Sequence, residues 1–176
     1  MKHATNNHVI VLQNLLQIPK KILSIHGHID NVPDFVLHEL CHENCLNIER
    51  AAYFIDNPDF NQLKGVSGYC KREKYTKSND IWQEAADFNE YMKQSEFNQK
   101  IRKFSQNSLK RCVHEEEDII SDIAQDLEFE KYGYCTWNMK HDNHGIFIYK
   151  KIDDTKLPQE ELLFHGLHLL GFCPIF

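Results

Sequence analysis

Residues 32–55, VPDFVLHELCHENCLNIERAAYFI, contain no glycine and only one proline, near their start, before Asn57-Pro58 interrupts the chain. No other stretch of the sequence constrains the fold so strongly. Wound as a helix, it brings Leu37, Leu40, Ile48, Ala51 and Ile55 onto one flank, the pattern of an element that buries one face. The spacing therefore predicts one continuous helix. Asp34 is placed to cap its start, and Asn57-Pro58 is placed to stop it.

The remaining segments fall into place around that helix. The VIV run at 9–11 fits either a short strand or the start of a helix through Leu16, with Pro19 interrupting the pattern and KILSIHG forming a second short element. Residues 56–80 carry Pro58, Gly65 and Gly68 and read as a loop with at most one helical turn. A second long helix is expected from Asp80 to Phe104, and a third from Ser108 to Phe129. The third begins basic and ends acidic, against the helix dipole, so its stability has to come from packing. After Gly133, YCTWNMK and GIFIYKK read as two strands about the turn HDNHG. Pro158 then introduces a final helix, EELLFHGLHLL, ended by Gly171. The expected fold class is α+β: a predominantly helical single domain, residues 1–176, with a late β-hairpin around 133–150.

Composition narrows the function. The chain has 176 residues, 41% of them hydrophobic, and a net charge of −6. That is enough for one domain with a substantial core. An acidic surface does not attract nucleic acid, and the basic stretch CKREKYTK at 70–77 is flanked by acidic segments. No apolar run is long enough to span a membrane, and the N-terminus lacks the pattern of a secretory signal. The six cysteines, at 41, 45, 70, 112, 135 and 173, form no CxxC pair. A cytoplasmic protein with reduced thiols is the expectation.

The chemistry concentrates in HELCH, residues 38–42. On a helix His38 and His42 lie one turn apart, and Asp34, Cys41, Cys45 and Glu49 share about a third of the circumference with them. Two imidazoles at that spacing can converge on one zinc ion. Glu39, offset around the helix, can then deprotonate a zinc-bound water as general base. HELCH resembles the HExxH motif of the zincin metallopeptidases, differing from their common HELGH form only at Cys41. The resemblance is confined to this motif, and Glu43 follows the second histidine where the family usually has an uncharged residue. It implies a zinc-dependent hydrolase acting on a peptide or another small substrate, with His38 and His42 as ligands and Glu39 as the base.

The third ligand is open. Glu49 lies two turns, roughly 10 Å, beyond His42 on the expected helix and is too far away. His165 and His168 on the last helix, Cys70, and His141 and His144 of the HDNHG turn are the candidates. An alternative is a non-catalytic regulatory domain in which His38, Cys41, His42 and Cys45 together hold zinc or iron. A third possibility is a metal-free protein-interaction module whose histidines satisfy hydrogen bonds at the core edge. GVSG at 65–68 lacks the pattern of a phosphate loop, and no GxSxG element is present.

Overall fold

In a computed structural model, residues 2–24, 29–73, 75–76, 80–112, 115–151 and 160–173 are described. They form one α+β domain with more helix than sheet, as the sequence suggests. The sheet, however, is five-stranded and runs through the whole chain. Its strands are β1 (Ile48–Asn57), β2 (Gln62–Cys70), β3 (Ser105–Gln106), β4 (Gly133–Asn138) and β5 (His144–Lys151), in the antiparallel order β3-β2-β1-β5-β4. The helices are α1 (Lys2–Leu23), α2 (Val32–Cys41), α3 (Ala85–Gln94), α4 (Glu96–Lys103), α5 (Glu116–Asp126) and α6 (Glu160–Gly171).

The long helix expected at 32–55 is two elements. α2 stops at Cys41, and the second half of the stretch is β1, the central strand. The break is made by the turn HENCLN, where Asn47 takes a left-handed backbone (φ 49°) and its N–H donates to the His42 carbonyl at 3.0 Å. Asparagine tolerates that conformation better than most residues. Asn31 precedes the first turn of α2, and Asp34 is buried inside that turn instead of capping it.

Strand β1 is buried on both faces. Ala51 and Tyr53 join one apolar cluster, with Leu15 and Ile18 of α1, Leu37 and Leu40 of α2, and Leu163 and Leu167 of α6. Ala52 and Phe54 join the opposite cluster, with Phe97 and Ile101 of α4 and Ile120 and Ile123 of α5. A strand covered on both sides reads as an unbroken apolar run, which periodicity alone does not separate from a buried helix.

Residues 62–70, expected to be loop, are strand β2. Its register against β1 slips between Tyr53 and Phe54: Tyr53 pairs with Ser67 and Phe54 with Gly65, leaving Val66 as a bulge. The bulge turns Gly65 and Gly68, three residues apart, to the same face, where α4 lies on them. A Cβ built on Gly65 would stand 1.9 Å from the Ile101 carbonyl oxygen, and one on Gly68 would stand 2.7 Å from Ile101 Cγ1. These glycines are spacing residues for a packed helix.

The segment expected as one helix at 80–104 is broken into α3 and α4 at Ser95, whose side chain accepts from the Asn98 N–H at 3.1 Å. Likewise 108–129 is a short turn at Leu109–Arg111 followed by α5. The charge argument reverses with it, because α5 starts with Glu116, Glu117 and Asp118, the acidic first turn that a helix dipole favours. The hairpin (β4 and β5) and the last helix (α6) lie where the sequence places them, and the helical alternative holds for 9–16; but Pro19 does not interrupt it, since α1 runs on to Leu23 and takes in the first residues of the expected KILSIHG element. His26 and His28, in the expected KILSIHG element, lie outside the described residues.

The close approach of α4 yields a direct test. Gly65→Ala forces a methyl group into the Ile101 backbone, and we expect it to cost about 3 kcal/mol of unfolding free energy in urea. Lys64→Ala, one residue away and exposed, should stay within about 0.5 kcal/mol of the parent.

Candidate functional site

The early end of α2 rearranges the HELCH residues. His38 and Glu39 stand on the helix, whereas His42 has already left it, with φ −59° and ψ 154°. The two imidazole centroids are 6.3 Å apart with ring planes inclined by 32°. His42 Nδ1 accepts from the Asn44 N–H at 3.4 Å. His38 packs edge-on against Tyr69 (5.5 Å) and Phe88 (5.1 Å). Burial lowers its pKa to about 4, with a smaller contribution from His42. It is therefore neutral at physiological pH.

Glu39 is held from two sides. Its Oε1 accepts from Lys21 Nζ of α1 at 2.7 Å and from Trp82 Nε1, just before α3, at 2.9 Å. Cys41 and Cys45 are packed in the core beside α1 and α6. Burial pushes the Cys41 thiol well above its ordinary range, with Cys45 adding to the effect. It pushes Cys45 up to about 12, reinforced by the Glu39 charge. Both are neutral thiols in this setting.

His38, Glu39, His42 and Cys45 line one cavity of about 510 Å³, which Cys41 does not reach. Ligand pockets commonly span roughly 300–1,000 Å³. One wall is α2 and the turn after it, another is the end of β2 with Tyr69 and Cys70, and the third is Tyr75, Ile81 and Tyr91. Asn14, Ile18 and Lys21 of α1 complete it. The aromatic rings are in mutual contact: Tyr75 lies 5.4 Å from Phe88 and 5.2 Å from Tyr91, and Phe88 is 4.6 Å from Phe35. The Tyr91 hydroxyl donates to the Glu73 carbonyl oxygen. The Tyr75 hydroxyl is buried and has no hydrogen-bond partner among the described residues.

The other candidate ligands are dispersed. His165 and His168 are exposed on α6 and do not line the cavity. His141 is exposed at the hairpin turn. His144 Nδ1 lies 2.9 Å from Asn138 Oδ1 and borders a separate cavity of about 150 Å³. Among the described residues, no group of three or more His, Cys, Asp or Glu side chains is arranged to hold a metal ion. Sequence reasoning missed Lys21, Tyr69, Tyr75, Trp82 and Tyr91. They come from three separate parts of the chain, and no spacing rule links them.

Beneath the site, Asp34 joins α2 to β2, its Oδ1 accepting from Ser67 Oγ at 2.6 Å. Burial raises its pKa to about 6 against the lowering effect of that hydrogen bond. No helix among the described residues is long and apolar enough to cross a membrane. Comparison with protein-family models, with curated proteins and with solved structures gives no match.

Asp34 and His38 give opposite pH dependences in the same window. A carboxyl with a raised folded pKa contributes stability at low pH that is lost as pH rises through about 6. A histidine with a lowered folded pKa contributes stability above its ordinary value of 6.5 that is lost as pH falls toward about 4. Each effect is on the order of 2–3 kcal/mol, so they largely cancel. We expect Asp34→Asn to lose stability on acidification from pH 6.5 to 4, and His38→Gln to gain it. Urea unfolding across that range checks both signs. Single variants that track the parent would refute the assignment.

Proposed function

We propose that the protein is a small-molecule-binding domain whose ligand occupies the cavity between α2, the end of β2 and the Tyr75–Tyr91 wall. The observation that carries this reading is the cavity itself, about 510 Å³ and lined jointly by α1, α2 with its following turn, the end of β2 and the rings of Tyr75 and Tyr91. The aromatic walls supply apolar contact, and neutral His38 supplies a polar group.

Binding is favoured over turnover by the state of the reactive groups. Glu39 Oε1, the expected base, is occupied by Lys21 and Trp82. The Cys45 thiol on the cavity wall is raised away from the reactive thiolate form.

A second reading, a zinc- or iron-dependent hydrolase with Glu39 as base, draws support from one fact. His38, Glu39 and His42 border the same cavity. It requires the two rings to turn toward a common point, Glu39 to exchange its partners, and a third ligand to come from elsewhere.

Two measurements separate the readings. We expect a library of small aromatic fragments to give saturation-transfer NMR signals that vanish in His42→Trp, which fills the cavity from a half-buried position. We also expect calorimetric titration with zinc to show no stoichiometric site tighter than about 1 μM, a free energy of about −8 kcal/mol. One tight zinc per chain, lost in His38→Ala/His42→Ala, would instead establish the hydrolase site and make Glu39→Gln the decisive variant for turnover.

A further inference from the structure

The cavity carries two opposite charges that no other side chain neutralises, and what they imply about the ligand rests on the binding reading above. Just beyond β2, the Glu73 N–H donates to the Cys70 carbonyl at 3.0 Å and closes a four-residue turn. Lys71 and Glu73 both leave that turn onto the cavity lining, half-buried. Neutral groups on two different elements hold them. Lys71 Nζ donates to Asn47 Oδ1, in the turn after α2, at 3.2 Å. The Glu73 carboxylate accepts from Ser95 Oγ at 2.5 Å and from the Phe97 N–H at 3.0 Å, at the start of α4. Among the described residues neither Lys71 nor Glu73 has an ion-pair partner, and they do not pair with each other.

The other ionisable groups on the lining compete little with these two. Lys21 and Glu39 neutralise each other at 2.7 Å. Glu43 is exposed, where water screens its charge. Burial keeps His38 neutral, and His42 Nδ1 serves as an acceptor for the Asn44 N–H. A charge already fixed by neutral hydrogen bonds needs little reordering when a counter-charge arrives, and a half-buried pair is screened less than one in open water. Two residues of chain span at most about 7 Å, so one small molecule can reach both Lys71 and Glu73. A ligand with a single charge leaves one of them unanswered. Beside them Tyr69, Tyr91 and Ile81 supply apolar and aromatic surface, which favours a ring that stacks or meets the walls edge-on.

We infer that the site selects a small zwitterion, a free amino acid with an aromatic side chain, whose carboxylate pairs with Lys71 and whose ammonium group pairs with Glu73. Both contacts are charge-assisted hydrogen bonds, stronger than those to neutral partners.

Three probes that share one ring and differ in charge test this: phenylalanine, 3-phenylpropanoate, which lacks the ammonium group, and phenethylamine, which lacks the carboxylate. Each is titrated into the full chain at neutral pH and followed by NMR. Phenylalanine is expected to bind at least tenfold more tightly than either analogue, a comparison that needs no variant to fold. In Lys71→Gln its affinity is expected to fall about tenfold while that of phenethylamine stays unchanged. In Glu73→Gln, which keeps an acceptor for the Phe97 N–H, phenylalanine is expected to fall about tenfold while 3-phenylpropanoate stays unchanged. The unchanged probe in each variant shows that the cavity itself is intact. Equal or tighter binding of either analogue to the parent chain would overturn the inference while leaving a binding pocket in place. Unchanged phenylalanine affinity in either variant would overturn the pairing assigned to that residue. Failure of all three probes to bind, with no fragment signal sensitive to His42→Trp, would remove the binding reading itself.

Discussion

The fold depends on one strand being buried on both faces. β1 is hydrogen-bonded to β2 on one side and β5 on the other, and helices cover both of its surfaces. From Arg50 to Asp56 each residue is thereby paired with a neighbouring strand on both sides, while the side chains build two separate cores. Tyr53 and Phe54, adjacent in sequence and fully buried, serve opposite layers. Once β1 is fixed, α2 has to end before it, and the end of α2 is what shapes the cavity.

The wall between α2 and β2 combines two unlike constraints. On the α4 side, Gly65 and Gly68 allow a helix to lie almost on the backbone of β2, in an arrangement that depends on the bulge at Val66. On the α2 side, Asp34 and Ser67 form a buried hydrogen bond. The first constraint is steric and tolerates no added carbon. The second is electrostatic and is opposed by the cost of burying Asp34 as a charge. Together they hold Tyr69 and His38 at the back of the cavity, while Glu39 draws Lys21 and Trp82 together across its side.

Some of this was legible in the sequence. The hairpin at 133–151 is two short apolar runs flanking a turn of residues that accept positive φ, as His141 and Asp142 do. The last helix is framed by Pro158 and Gly171. The interior of the sheet was not legible, because AAYFI carries the apolar run of a two-sided strand and no alternation. β2 was hidden by its glycines, which mark loops in general but here make room for Ile101. Of the site, the histidines and Glu39 were visible as a motif and do line one cavity. Their aromatic partners were not, because Tyr69, Tyr75 and Tyr91 meet only through tertiary packing.

A crystal structure of the full chain soaked with a small aromatic fragment that gives a saturation-transfer signal tests the central claim most directly. The account expects ligand density in the cavity between α2, the end of β2 and the Tyr75–Tyr91 wall, with the Lys21–Glu39–Trp82 contacts intact. A metal ion bridging His38 and His42, with Glu39 released from Lys21 and turned toward a bound water, would contradict it.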